Sequence, residues 1–131
     1  MIPRLPTVAQ LRRLHSEAIQ LAGGAAGEFS DTQARLESAR GAAANMANYE
    51  EKPIPEIACH FALRLARLHP FQDGNKRLAY LATRLLARLN GYQFEQKNWN
   101  LFAEAIVARL SRELASDEEF VERVAPLFQI E

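Results

Sequence analysis

The chain has one cysteine, no excess of charge of either sign and no long apolar run, and each shortage excludes a class of protein. A lone Cys59 cannot form an internal disulfide, so a disulfide-held scaffold is excluded and a buried, unreactive thiol is expected. Sixteen basic residues balance sixteen acidic ones, which leaves no global field to attract nucleic acid or an anionic membrane. No segment has the roughly 18 apolar residues of a spanning helix, and the first ten residues contain no apolar signal region. We therefore expect a cytoplasmic protein that makes no direct contact with nucleic acid or membrane.

The bulk composition is that of a globular protein. Hydrophobic residues make up 48% of the 131 residues and charged residues 24%, which is the balance of an ordinary folded domain. A chain of this length buries about two thirds of its unfolded surface in one core. We therefore expect a single domain over residues 1–131.

The spacing of apolar residues predicts an all-α fold of about six helices. The first helix is predicted to begin at a capping box at Thr7 and to end at Gly23. The second is predicted to begin at a similar pattern at Ser30 and to fade over residues 41–44. Residues 48–55 (NYEEKPIP) are expected to form an exposed loop that ends where Pro55 opens the third helix.

Residues 78–89 are apolar on nearly every side of a predicted helix, and only Arg84 and Arg88 are plainly polar. A helix that is apolar on nearly every side belongs at the centre of a bundle, and Asn90 with Gly91 is a usual helix end. Asn98 is expected to cap a fifth helix, and a capping box at Ser116 to begin a short last one. No alternating strand of convincing length is present. The sequence therefore predicts a compact bundle around a buried central helix.

The residues that connect the third helix to the central one, 69–77 (HPFQDGNKR), predict a phosphate site. Pro70 ends the preceding helix, and the turn at 73–75 begins the next, so unpaired backbone N–H groups face outward there. Such a helix start binds anions through its dipole and its free donors. Gly74 allows a conformation or a close approach that a side chain would block.

The side chains around this turn are those that phosphoryl or nucleotidyl transfer needs. Asp73 is predicted to hold Mg²⁺, because a carboxylate plus substrate phosphates is the usual magnesium shell. Lys76 and Arg77 would hold phosphate oxygens, and Asn75 would donate a hydrogen bond or orient the metal shell. His69 would accept the proton of an attacking hydroxyl, since the pKa of an imidazole suits that role.

Each of these residues also has a structural interpretation. Asp73 could cap the central helix, and His69 could be a surface or capping histidine. Lys76 and Arg77 could be a solvated basic pair, although cations in a first helical turn oppose the helix dipole. Phe71 is interpreted as a core anchor of the loop. The nine residues together favour the chemical interpretation.

Residues 69–77 resemble the signature of the Fic/Doc superfamily, H-x-F-x-[DE]-G-N-x-R, whose members modify protein hydroxyls with nucleotides. Within the superfamily the chain is most similar to the Doc-type toxins of toxin–antitoxin pairs, over nearly its whole length. The resemblance implies ATP as the nucleotide substrate and Mg²⁺ as the metal. It also implies that His69 is the catalytic residue and that Asp73 is the metal ligand. The nucleotide-binding residues that it implies are Gly74, Asn75, Lys76, Arg77 and Arg67. The supporting features are Gly23-Gly24, Ser30-Asp31, Tyr49-Glu50-Glu51, Arg67 and Asn90-Gly91.

The resemblance leaves two possible transferred groups, phosphate and AMP, and two positions bear on the choice between them. Adenylylating members read G-N-G-R-x-x-R, whereas here Lys76 replaces the second glycine and Tyr80 stands in place of the second arginine, as in Doc-type proteins. Doc-type proteins transfer the γ-phosphate of ATP to translation elongation factor Tu and block translation. Gly74, however, is the ordinary Fic residue where Doc carries alanine, and Leu21 does not reproduce a basic residue of Doc. AMP transfer therefore stays open.

The resemblance also implies a partner that restrains the enzyme. Fic enzymes are often inhibited by a helix of pattern [ST]-x-x-x-E-[GN], which this sequence lacks. A separate Phd-like antitoxin is therefore implied. A non-catalytic corepressor that acts through antitoxin binding is the remaining alternative.

Overall fold

Six α-helices make up most of the regular structure in residues 3–131, the part of the chain that the computed structural model describes. They are α1 (Val8–Ala22), α2 (Thr32–Asn45), α3 (Ile54–Leu68), α4 (Asn75–Leu89), α5 (Trp99–Leu110) and α6 (Asp117–Val124). A π-helical turn (Met46–Glu50) follows α2, and 3₁₀ turns occupy Gln96–Asn98 and Ala125–Leu127. The predicted all-α fold is confirmed. Residues 1–2 of the predicted single domain lie outside the described residues.

Helix α4 lies at the centre and packs against α1, α3 and α5. Its Leu78, Tyr80 and Leu86 are almost fully buried, as its apolar sequence predicted. Phe61 and Phe102 belong to the same core. Cys59 is also buried, and burial raises the pKa of its thiol well above the usual range, which keeps the thiol protonated. No helix in residues 3–131 is long and apolar enough to span a membrane.

The first helix begins and ends as predicted. Thr7 Oγ1 accepts a hydrogen bond from Gln10 N at 3.0 Å, and Gln10 Oε1 accepts one from Thr7 N at 2.9 Å. This reciprocal pair is the predicted capping box. Gly23 ends the helix at φ 78°, a conformation that favours glycine.

The predicted start and end of the second helix were wrong. Asp31 precedes the helix without a side-chain cap, and the hydroxyl that ties down this end is that of Thr32. Thr32 Oγ1 accepts from Phe29 N at 2.8 Å and donates to Pro70 O at 2.6 Å, so a tertiary contact sets the helix start. The helix also does not fade over 41–44, because alanines there favour helix and Ala43 is buried in the core.

The expected loop over residues 48–55 is shorter than predicted. The π-helical turn Met46–Glu50 continues the chain from α2, and α3 already begins at Ile54. Pro55 lies in the first turn of α3, where its missing N–H costs nothing. Only residues 51–53 are irregular, and Glu51 adopts a left-handed conformation at φ 53°.

The C-terminal elements follow the predictions in part. Asn98 precedes α5 but makes no capping hydrogen bond. Ser116 Oγ accepts from Glu119 N at 3.3 Å, whereas the Glu119 carboxylate accepts from Ala115 N, so the predicted capping box is only half formed. Two short strands that the sequence did not reveal, β1 (Tyr92–Gln93) and β2 (Gln129–Ile130), pair in antiparallel register.

Candidate active site

The loop between α3 and α4 is held by the segment that joins α1 to α2. Phe71 forms an antiparallel bridge with Glu28, and Gln72 N donates to Gly27 O at 3.0 Å. A Cβ at Gly27 would lie 2.6 Å from the Gln72 side-chain amide, so a larger residue there would require the exposed Gln72 side chain to move. Thr32 adds its hydrogen bond to Pro70 O. These contacts fix the backbone from which the predicted catalytic and phosphate-binding residues project.

His69 terminates α3 in a left-handed conformation, φ 51° and ψ 60°. A non-glycine residue adopts this conformation only at a cost in free energy, so the surrounding contacts must hold it. His69 N donates to Leu65 O at 3.2 Å, and His69 O accepts from Arg35 Nη1 at 2.8 Å. The imidazole itself is exposed, which leaves it available to a substrate hydroxyl.

Asp73 does not cap α4, in contrast to its structural interpretation. The N-cap is Gly74, and α4 has no side-chain cap. Asp73 Oδ2 instead accepts a hydrogen bond from Ala25 N at 2.7 Å. Gly24 allows this approach, because a Cβ at that residue would lie 3.1 Å from Asp73 Cβ. Within residues 3–131 the structure gives Asp73 Oδ1 no hydrogen-bond partner, so this oxygen can accept a metal ion.

The first turn of α4 offers unpaired backbone donors. Leu78 N donates to Gly74 O at 2.8 Å as the first helical hydrogen bond, so the N–H groups of residues 75–77 have no helical acceptor. Gly74 reaches φ 80°, where a side chain would be strained and would also approach Ile19 Cδ1 to 3.2 Å. An uncapped helix start of this kind favours a bound anion.

The side chain of Asn75 is bonded to the loop itself. Its side-chain amide is 6% exposed and pairs with the backbone of Phe71 in both directions. Asn75 Oδ1 accepts from Phe71 N at 3.1 Å, and Asn75 Nδ2 donates to Phe71 O at 2.8 Å. Because both amide atoms are engaged, Asn75 shapes the loop. Phe71 is 1% exposed, in agreement with its interpretation as a core anchor.

A cavity of about 540 Å³ lies beside this turn. Most of the predicted site residues line it, together with one wall from the C-terminal half of α5 and one residue of α3. The lining residues are His69, Gln72, Asp73, Gly74, Asn75, Lys76, Ala66, Val107, Leu110 and Ser111. A histidine, a carboxylate, a cation and an uncapped helix start therefore share one cavity.

Two predicted phosphate-binding residues do not line this cavity. The guanidinium of Arg77 stacks on the indole of Trp99, 3.9 Å from the ring centroid, and its buried Nε has no hydrogen-bond partner. Arg67 forms a two-point ion pair with Asp117, which also binds Arg109. The hydrogen bonds from Arg67 and Arg109 lower the pKa of Asp117 to about 2. This ion pair anchors α6 to α3.

Tyr80 is part of the core and not of the cavity. It is 1% exposed and packs against the rings of Phe94, Trp99 and Phe102. Its hydroxyl lies 2.9 Å from Glu95 O and 2.7 Å from Gln96 O, to which it donates. Burial raises the pKa of this phenol. The position at which adenylylating proteins carry an arginine is therefore filled by a packed aromatic ring.

Two features of the site were missed in the sequence. The first is His15, which is 3% exposed and contacts the turn from α1; its place between Leu11 and Ala18 on the buried face of α1 was the available signal. The second is the wall formed by Val107 and Leu110, which are apolar and exposed on α5. Exposure of this kind has no sequence signal, because the same residues could equally lie in the core.

The residues present fit a magnesium ion that is held mainly by its substrate. No group of three or more histidine, cysteine, aspartate or glutamate side chains in residues 3–131 could hold a metal ion. Asp73 alone offers a carboxylate to the cavity, and Mg²⁺ is commonly bound by one or two carboxylates plus phosphates and water. A bound nucleotide would thus supply the remaining ligands.

Comparison with known proteins identifies the class to which this fold and loop belong. The sequence profile of the Fic/DOC family matches residues 5–87, which span α1 to α3, the loop and most of α4. The match covers more than half of the chain, and the chain belongs to the Fic/Doc family. Members of this family are typically transferases that act on proteins. None of the curated proteins matches the chain.

Proposed function

We propose that the chain is a Doc-type phosphotransferase that moves the γ-phosphate of ATP to a serine or threonine hydroxyl of a protein. The observation that carries this proposal is the shared cavity: His69, Asp73 and Lys76 line it together with the uncapped start of α4. Triphosphate transfer depends mostly on positioning and charge stabilisation, and these groups supply both.

The residues around the cavity have different roles in the proposed reaction. The N–H groups at the start of α4 and the Lys76 ammonium hold phosphate oxygens. Asp73 would hold Mg²⁺, and the ion would supply positive charge against the phosphate oxygens. His69 takes the proton of the attacking hydroxyl. The hydroxyl oxygen then bonds to the γ-phosphorus, the bond from that phosphorus to the bridging oxygen breaks, and ADP leaves.

Transfer of AMP is the second candidate. Gly74 favours it, because glycine is the residue of adenylylating members at this position and keeps the turn open. Lys76 favours γ-phosphate transfer, because a lysine lines the cavity at the position where adenylylating members have glycine. By resemblance we propose elongation factor Tu as the target and a Phd-like antitoxin as the restraint.

One experiment separates the two reactions. The purified protein is incubated with elongation factor Tu, or with a cell extract, and with ATP labelled at either the α or the γ phosphate. Label from the γ position on the target supports phosphotransfer, whereas label from the α position supports AMP transfer and overturns the proposal. Absence of both labels from elongation factor Tu while an extract protein is labelled overturns only the choice of target.

Replacing His69 with alanine tests the proton acceptor. Loss of a general base lowers transfer by about a hundredfold or more, while ATP binding and thermal stability stay close to those of the wild type, because the His69 ring is exposed. His60→Ala is the matched control, since His60 lies on α3 beside a different cavity. Transfer by His69→Ala at more than about a tenth of the wild-type rate would remove the assigned role.

A further inference from the structure

His15 is a buried polar residue for which the proposed reaction has no direct use. It lies on α1, is 3% exposed and does not line the cavity. Its imidazole stacks on the Phe71 ring with centroids 3.6 Å apart and planes 7° from parallel. A buried imidazole is costly unless its nitrogens find partners, so the contacts of its polar edge are informative.

The polar edge of His15 points to the backbone of the site. His15 Nε2 lies 2.8 Å from the carbonyl oxygen of Asp73. A carbonyl oxygen can only accept a hydrogen bond, so Nε2 must carry the proton and donate. The contact therefore fixes both the ring orientation and the tautomer of His15.

This hydrogen bond acts at the residue where the turn begins. Asp73 is held at two points, its carbonyl by His15 and its carboxylate by Ala25 N at 2.7 Å. His15 also lies against Gly74, since its Nε2 would be 3.6 Å from a Cβ at that residue. The orientation of the peptide between Asp73 and Gly74 therefore depends on His15, and with it the direction of Asp73 Oδ1 and of the free N–H groups of α4.

We propose that His15 is a positioning residue of the metal and phosphate site, an inference that rests on the proposed function. It acts through the Asp73 carbonyl and touches no substrate. The Nε2–H bond, more than the stacking on Phe71, supplies the effect, because the hydrogen bond is directional and the stacking is not tied to one orientation of the Asp73 peptide.

Two variants separate the hydrogen bond from the stacking. His15→Phe keeps an aromatic ring on Phe71 and removes the donor, whereas His15→Gln keeps an N–H donor and removes the ring. The measurement is the affinity for ATP at a series of Mg²⁺ concentrations, by calorimetry. We expect His15→Phe to bind Mg²⁺-ATP about tenfold more weakly, the size of one lost hydrogen bond to a buried group, and His15→Gln to stay within about threefold of the wild type. His60→Phe is the matched control, because His60 lies beside a different cavity.

The outcomes distinguish this inference from the proposed function. Absence of Mg²⁺-dependent ATP binding in the wild type would overturn both. Binding by the wild type with equal affinity in His15→Phe would overturn the positioning role alone, as would equal weakening in both variants. If a variant fails to fold, a measurement on the wild type still tests the inference. A proton–nitrogen correlation NMR spectrum of the His15 ring identifies which nitrogen carries the proton. A proton on Nε2 supports the inference, and a proton on Nδ1 alone overturns it.

Discussion

Replacing Asp73 with asparagine separates the two contacts of its carboxylate. In the wild type Oδ2 accepts from Ala25 N at 2.7 Å, and Oδ1 is the proposed ligand of Mg²⁺. Asparagine can keep its carbonyl oxygen on Ala25 N, which places its NH₂ group where Oδ1 stood. A donor then faces the proposed metal position, so Mg²⁺ would lose its protein ligand while the loop would keep its hydrogen bond.

We expect Asp73→Asn to lose little stability but much of its transfer rate. A hydrogen bond with an ionised acceptor is roughly twice as strong as a neutral one, so the exchange should cost about 1 kcal/mol of stability or less. A metal contributes several kcal/mol to the stabilisation of a phosphoryl transition state, so transfer should fall by about a hundredfold or more. Asp73→Ala is the comparison, because it removes the Ala25 contact as well and should be the less stable of the two.

The assay is the rate of label transfer from ATP over a range of Mg²⁺ concentrations, together with thermal unfolding of each variant. We expect Asp73→Asn to melt close to the wild type and to lose the Mg²⁺-dependent part of the rate. Wild-type rates with an unchanged Mg²⁺ dependence would refute the reasoning, because Asp73 would then only fix the loop through Ala25.

Three further predictions concern the glycine turn, the ion pair and the stacked arginine. Gly74→Ala should cost about 1–2 kcal/mol in left-handed strain, seen as a lower melting temperature, whereas Gly41→Ala, in α2 with nothing within 4 Å, should raise it; equal shifts would contradict this. Because the pKa of Asp117 is lowered to about 2, its contribution to stability is present above its ordinary value of 3.8 and is lost as pH falls toward 2. Asp117→Asn should therefore flatten the pH dependence of the unfolding free energy in that window, and an unchanged slope would oppose the assignment. Mg²⁺-ATP should change the emission of Trp99, the single tryptophan, if Arg77 leaves its ring to reach a phosphate; unchanged emission at saturation would leave Arg77 as a structural clamp.

The fold could be predicted where the signal is local. The capping box at Thr7 and the central position of α4 were predicted from patterns of neighbouring residues, and both were correct. The start of α2 could not be predicted in this way. The local sequence predicts a cap at Ser30, but α2 begins at Thr32 without a side-chain cap, and the Thr32 hydroxyl instead donates to Pro70 O, which is distant in sequence.

The candidate site was likewise predictable only in part. A short motif contained His69, Asp73, Gly74, Asn75 and Lys76, and the structure places all five around one cavity. The direction in which each side chain points could not be predicted from the sequence. Whether an amide faces the substrate or the backbone depends on which groups lie nearby after folding. Asn75, with both amide atoms bonded to Phe71, shows that the motif indicates residues but not their contacts.

We expect the choice between γ-phosphate and AMP transfer to depend also on a part of the chain that the family match does not include. The match ends at residue 87, within α4, whereas Val107 and Leu110 of α5 form the apolar wall of the cavity. If the phosphates bind at the polar side, as proposed, this wall is left for the base and sugar. A nucleotide must satisfy both sides at once, and its orientation fixes which phosphorus faces His69. We therefore expect substitutions in α5, such as Leu110→Asp, to alter ATP affinity and the position of the transferred label more than substitutions at the buried Tyr80 that preserve packing, such as Tyr80→Phe.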